Sequence, residues 1–304
     1  MLRWVRVWLL VVIAPVAVAD AAWTQEKRIS RPSQCDGVDV AIGASERRCL
    51  KPGAGEIEPF KDCPECPTMV MVPAGEFTMG SPASEPERND DESPQRQVAI
   101  AHAFAVGKFE VTFEEWDACV AAGDCKHNPA DRGWGRGLQP VTNLSWDDAT
   151  KEYLPWLSRK TGKPYRLLTE AEWEYAARGM KNASTVHTTY FWGNDIGKNR
   201  ANCDGCGSRW DRKQTAPVGS FAANAFGLHD MHGNVWEWVQ DCYKDTYAGA
   251  PTDGRATADA ASCLRVLRGG SWYDKPHDLR SADRSGVRPV NRYGGSGLRV
   301  ARTL

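Results

Sequence analysis

Arg265-Val266-Leu267-Arg268-Gly269-Gly270-Ser271-Trp272 opens, and Gly297-Leu298-Arg299-Val300-Ala301-Arg302 closes, the stretch on which the rest of the chain depends. The Arg-Val-Leu-Arg alternation predicts a strand running into a Gly-Gly break, and the closing run predicts a second short strand. Residues 273–296 between them are rich in Arg, Asp, Gly, Pro, Tyr and Ser and poor in aliphatic side chains. Such a segment cannot build a core of its own. It is expected as irregular backbone pinned between two strands, the kind of place where binding and catalytic groups concentrate.

Outward from that stretch, the 304 residues are 41% hydrophobic and 25% charged, an ordinary globular balance with an excess of Trp and Gly. A net charge of −1 gives no reason to expect nucleic acid or an anionic membrane surface as a partner. Residues 1–19 have the form of a signal peptide. Arg3 and Arg6 precede an apolar run from Val7 to Val16, and Ala17-Val18-Ala19 fits a cleavage site. The run is short for a membrane span, an uncleaved anchor being the alternative. A periplasmic or secreted protein is expected.

All ten Cys follow that point, and an even number in an exported chain suggests a disulfide framework. Proximity pairs Cys35 with Cys49, Cys63 with Cys66, Cys119 with Cys125, Cys203 with Cys206 and Cys242 with Cys263. The two Cys-x-x-Cys pairs leave zinc or redox roles open.

Residues 20–67, polar and carrying four Cys, form an N-terminal extension, and residues 68–304 the main domain. In it, Met69-Val70-Met71-Val72-Pro73-Ala74-Gly75-Glu76-Phe77-Thr78-Met79-Gly80 reads as a strand, a Pro-Ala-Gly turn and a second strand, which predicts a hairpin. Gln97 to Val106 predicts a strand. Thr112 caps a helix over Phe113 to Ala121, and Ser145 caps a second, which Pro155 should kink or end. Thr169-Glu170-Ala171-Glu172 is a capping box for a third helix, Glu170 to Arg178. Short strands, turns and aromatic clusters follow. The outline is α+β.

Met71-Val72-Pro73-Ala74-Gly75, Pro140-Val141-Thr142-Asn143, Arg166 to Glu174, Phe191-Trp192-Gly193, Gly227 to Trp238 and Arg268-Gly269-Gly270-Ser271-Trp272 occur in the order seen in formylglycine-generating (sulfatase-modifying factor) enzymes, which the chain resembles over residues 68–304. The resemblance implies a C-type-lectin-like fold with much irregular structure and disulfides. It also implies structural Ca²⁺, held by hard oxygen ligands. One site maps to Asp230, Gly233, Val235 and Glu237. A second maps to Asn202, Cys203, Asp211 and Lys213, with Gly233, Val235, Cys203 and Lys213 supplying main-chain carbonyls.

Copper-using members of the family hold Cu(I) with two thiolates. Those positions are Asp274 and Leu279 here, and no Cys follows Cys263, which argues against the copper-dependent formylglycine reaction. Trp236 and Ser271 of the family pocket remain. The iron motif of the sulfoxide-forming branch is absent. His229 and His232 with Asp230 and Glu237 imitate a two-His-one-carboxylate iron site, but the calcium loop explains the same residues better. A further branch comprises periplasmic oxidases that mature a siderophore chromophore without copper cysteines. For such an activity the acid or base is sought among Asp274, His277, Asp278 and Asp283. Two readings follow: a binding or accessory module that presents Tyr273 to Ser296 to a peptide, protein or small molecule, or a copper-independent oxidase. The arginines of this stretch (280, 284, 292 and 299) are expected to fork onto carboxylates and carbonyls and so to stiffen it.

Overall fold

In the computed structural model of the chain, residues 1–2, 35–55, 58–179, 187–257 and 262–304 are described. Residues 3–19 of the expected signal peptide lie outside them. Residues 35–304 form one compact unit. It begins with an antiparallel hairpin of β1 (Val38–Ile42) and β2 (Glu46–Leu50), clasped by Cys35–Cys49. β3 (Met69–Val72), β4 (Gly75–Met79), β5 (Arg96–Ile100) and β6 (Phe104–Gly107) follow, then helix α1 (Phe113–Ala121).

The predicted hairpin of β3 and β4 does not form. Pro73 and Ala74 turn the chain out of one sheet and into another: β3 pairs with β6, and β4 with β5. The strand predicted from 97 to 106 breaks at residues 101–103 for the same reason, since β5 and β6 belong to different sheets. The second helix bends rather than ends. α2 (Trp146–Asp148) and α3 (Leu154–Thr161) are joined by a π-helical stretch at Ala149–Tyr153. Pro155 falls in the first turn of α3, where the wider π turn upstream makes its missing N–H harmless. β7 (Tyr165–Leu167) leads into α4 (Glu170–Arg178), opened by the expected capping box and closed by left-handed Gly179.

β8 (Trp236–Cys242), β9 (Arg265–Arg268), β10 (Arg284–Val287), β11 (Ser296–Leu298) and β12 (Val300–Arg302) complete the element order. They build two four-stranded sheets, ordered β10-β9-β8-β11 and β3-β6-β12-β7. Residues 273–296 are therefore less irregular than the sequence predicts, because β10 pairs along β9 and a 3-10 turn spans Pro276–Leu279. The closing strand is two strands. Arg299, 0% exposed, is the residue at which the chain leaves one sheet for the other.

Alternation explains why β3 and β6 are buried throughout. Met69, Met71 and Ala105 face one apolar cluster with Trp116, Trp238 and Leu298. Val70, Val72, Phe104 and Val106 face another with Trp173, Val239 and Val266. The hairpin contributes Val40, Ile42 and Leu50 to the first cluster, so the N-terminal Cys-bearing segment shares the core of the main domain.

All five cysteine pairs expected from proximity are disulfides. The arginine expectation also holds. Arg280 forks onto Glu92 (2.6 and 2.8 Å), Arg284 onto Glu170, Arg292 onto Asp148 and Arg299 onto Glu237. Arg268 binds Glu174 at 2.6 Å and the carbonyls of Ser281, Ala282 and Asp283. All but the exposed Arg292 fork are buried, and they replace the missing aliphatic core of the C-terminal stretch.

Candidate functional site

Three pocket residues expected from the sequence converge. Trp236 starts β8, and Ser271 and Asp274 lie in the turn that β9 enters after Gly269 and Gly270. Both glycines have positive φ (98° and 74°), and a Cβ on Gly270 would strike Leu279 at 2.5 Å. The break therefore lets the strand turn sharply beside the 3-10 turn. Ser271 then starts a tight turn in which Asp274 N–H donates to Ser271 O at 3.2 Å. The Trp236 indole N–H donates to Asp274 Oδ2 at 2.8 Å, and the Ser271 hydroxyl donates to the same oxygen. Burial raises the Asp274 carboxyl above its ordinary value; the Ser271 and Trp236 donors oppose that rise. Tyr273 beside it is raised as well, by burial first and then by the Asp274 charge.

Around this carboxylate stands an aromatic wall. Trp272 packs edge-on against Trp134 (5.1 Å) and Tyr273 (4.9 Å), and Arg132 lies over the Trp134 ring. The Trp272 indole N–H donates to Gly294 O at 3.3 Å. Trp236 and Trp272 are half-buried, while Tyr273 and Tyr293 stay 39% and 43% exposed. Trp134 and Arg132 escaped the sequence reading. They sit in a Gly-rich loop far along the chain, where only tertiary packing brings them to the site.

His277 and Asp283 do not join this group. His277 lines a separate cavity of about 320 Å³ with Glu85, Glu87 and His187, beyond the 3-10 turn. Asp283 was expected to be exposed but is buried, where its Oδ1 accepts from Arg280 and from the Asn89 amide. Burial holds its pKa well above the ordinary range. Gly295 and Ser296, also expected on the surface, are buried beneath the turn.

The first calcium set is drawn together by loop 230–237. Asp230 has a left-handed φ of 59°, and its Oδ2 accepts from Gly219 N–H at 2.6 Å. Asp230 Oδ1 is buried with no partner among the described residues. Glu237 spends its oxygens on Arg299 and on the Trp173 indole N–H (2.7 Å). A third acid, Glu110, lies alongside. It accepts from Val235 N–H (3.1 Å) and the Asn234 amide (2.7 Å), and burial, reinforced by Asp230 and Glu237, pushes its pKa well up. Sequence reading missed Glu110, whose signal is only an acid among apolar neighbours between β6 and α1. Three buried acids lie near Arg299, and Asp230 Oδ1 lacks a close hydrogen-bond partner, though among the described residues no three acidic, His or Cys side chains are placed to hold a metal ion together. The hard oxygens at Asp230, Gly233 and Val235 suit Ca²⁺ in kind.

In the second set the side chains have protein partners. Asn202 Oδ1 accepts from the Ser208 hydroxyl, and Asp211 accepts from the N–H groups of Gly205 and Gly207. Cys203 is bonded to Cys206, and Lys213 is exposed. The histidines of the imitated iron site are in carbonyl contacts: His229 Nδ1 lies 2.7 Å from Phe221 O and His232 Nδ1 2.7 Å from Leu279 O. Burial lowers the His232 pKa to about 4, so it is a neutral core imidazole at pH 7.

Comparisons agree with this geometry. A family described as "Sulfatase-modifying factor enzyme 1-like domain" matches residues 54–304. The formylglycine-generating enzyme of Streptomyces coelicolor is 31% identical over 292 residues, 76% of this chain and 88% of that protein. The serine/threonine-protein kinase pkn1 of Chlamydia pneumoniae is 32% identical over 270 residues; the match takes in 82% of this chain but only 40% of that protein. The structure of PvdO from Pseudomonas aeruginosa superposes with a TM-score of 0.74 at 40% identity, covering 84% of this chain and 99% of PvdO. With the family model matched over residues 54–304 and two four-stranded sheets and short helices beneath it, this chain belongs to the sulfatase-modifying-factor, or formylglycine-generating enzyme, family.

Proposed function

We propose that the protein is an exported, copper-independent oxidase of a small molecule or peptide, with Asp274 as its proton-accepting group. The observation that carries this reading is the single carboxylate, drawn up by burial and gripped by Trp236 and Ser271, at a position where copper-using relatives place a thiolate. PvdO is matched along 99% of its length at 40% identity, against 31% for the formylglycine-generating enzyme of Streptomyces coelicolor, which supports a reading apart from the copper-using members. Five disulfides suit an oxidising compartment outside the cytosol.

Without thiolates to hold Cu(I), the electrons must come from a substrate that becomes reducing enough for dioxygen on losing a proton. Asp274 takes that proton. The substrate then gives up two electrons and its second proton to dioxygen, which takes the first proton back from Asp274 and leaves as hydrogen peroxide, so that the carboxylate is regenerated. The Trp236 and Ser271 donors hold the carboxylate still, and partial burial keeps it basic enough to work. A calcium ion at Asp230 and the carbonyls of Gly233 and Val235 would supply only charge balance and loop stiffness; Glu237 and Glu110 would add charge from behind. A second ion would be held by Asn202, Asp211 and the carbonyls of Cys203 and Lys213.

Oxygen uptake and peroxide release by protein lacking residues 1–19 test the proposal, with sulfatase-type cysteine peptides and small reduced phenols, with and without copper. Turnover of a small substrate without copper is expected, falling about a hundredfold or more in Asp274→Asn. Copper-dependent turnover of the cysteine peptide would overturn it. No uptake, together with peptide or protein capture by the face of Trp272, Tyr273 and Tyr293, would favour the binding-module reading, which rests on the exposure of those rings.

A further inference from the structure

Three segments are stacked behind the candidate carboxylate. Asn234 N–H donates to Asn202 O, and Trp272 N–H donates to Asn234 O, both at 2.9 Å. Segment 202–206 thus abuts 233–236, which abuts the turn beginning at Ser271. The first segment also reaches that turn directly. Asp204 N–H donates to Asp274 O at 2.8 Å, and the Asp204 carboxylate binds Lys275 Nζ at 2.8 Å and lies 3.5 Å from Arg212 Nε. Asp211 grips the loop from its other side through the N–H groups of Gly205 (2.9 Å) and Gly207 (2.6 Å). Cys203–Cys206 closes it.

The Asp274 turn needs such an anchor. Its neighbours Tyr273 and Lys275 are exposed, and its own closing bond to Ser271 O is long at 3.2 Å. A carboxylate that receives two donors on one oxygen keeps that geometry only if its main chain cannot rotate. We infer that the disulfide-closed loop 203–206, acting through Asp204, is the positioning element that holds the Asp274 carboxylate in register with Trp236 and Ser271. With Cys203 and Cys206 0% and 1% exposed, the bridge serves as a permanent clamp, out of reach of external thiols. The inference rests on the reading that Asp274 is the reacting group, but its readout does not need turnover.

The Trp236 indole N–H donates to Asp274, so its proton and nitrogen shifts report whether the carboxylate is in place. They are read by two-dimensional NMR at one pH, with the resonance assigned by Trp236→Phe and the released position set by Asp274→Ala. In Cys203→Ser/Cys206→Ser and in Asp204→Pro, which removes the N–H that donates to Asp274 O, the resonance should move toward the released position, and Asp204→Glu, which keeps that N–H and a carboxylate, should leave it in place. Cys119→Ser/Cys125→Ser, which opens a disulfide at the end of α1, should leave it in place. If a substrate is in hand, kcat should fall tenfold to a hundredfold in the first two variants with KM little changed. Should the double variant not fold, Asp204→Pro alone decides. An unmoved resonance in Asp204→Pro, or an equal movement in the Cys119/Cys125 control, would overturn the clamp. Absence of any oxidase turnover would leave the NMR result standing and would count only against the activity.

Discussion

At the scale of single residues, the chemistry comes down to which carboxylates are burdened by burial and what answers their charge. Asp274 answers with two donors on one oxygen, whereas Asp230 leaves one oxygen buried and unanswered. The second pattern motivates a calcium measurement. Ca²⁺ at a hundred times its dissociation constant should stabilise the fold by about 3 kcal/mol, so chelation should lower the melting temperature by several degrees. Asp230→Ala should abolish the difference between chelated and calcium-loaded protein. A native melting temperature indifferent to chelator would remove the ion from the description. The sequence reached Asp230 and Glu237 because a loop motif carries them side by side. It did not reach Glu110, which meets them only through the fold.

At the scale of elements, caps and switches dominate. Glu115 closes the capping box of α1 by accepting from Thr112 N–H at 2.9 Å, and burial raises its pKa from 4.5 to about 7. A carboxyl whose folded pKa is raised binds its proton more tightly when folded. Its contribution is fully present below pH 4.5 and lost as pH rises through about 7. Stability measured by urea titration should therefore decline across that window. Glu115→Gln, which keeps the cap acceptor without the titratable proton, should flatten the decline; an unchanged slope would refute the assignment. Arg299 is the switch between β11 and β12. It binds Glu237 at 2.7 Å and the carbonyls of Gly107 and His229 at 2.9 Å each. Arg299→Ala strands a buried acid and should cost on the order of 3–5 kcal/mol in chemical denaturation. A loss under 1 kcal/mol would show that the fork does not hold the two sheets. Nothing in Gly297-Leu298-Arg299-Val300-Ala301-Arg302 distinguishes one strand from two, because alternation is the same for both. Only the presence of two different partners, β8 for one half and β6 with β7 for the other, splits it.

At the scale of the whole molecule, the N-terminal segment is bound into the fold by more than its disulfides. Asp62 receives both Arg302 Nη1 (2.8 and 2.9 Å) and the Tyr165 hydroxyl (2.6 Å), which ties it to the last strand and to β7. A chain beginning at Thr68 should therefore lose the cooperative thermal transition shown by one beginning at Cys35; equal melting curves would show the segment to be ornamental. From sequence alone came the α+β class, the helices over 113–121 and 170–178, all five disulfide partners, the arginine forks and the family, because capping chemistry, nearness of Cys and ordered motifs are local properties. Tertiary structure alone decided which strands pair, that Asp283 and Ser296 are buried, and that Trp134, Arg132 and Glu110 join residues distant in the chain. The reason is physical: burial and charge depend on what lies across a sheet or a loop, and neither a period nor a motif records that neighbour.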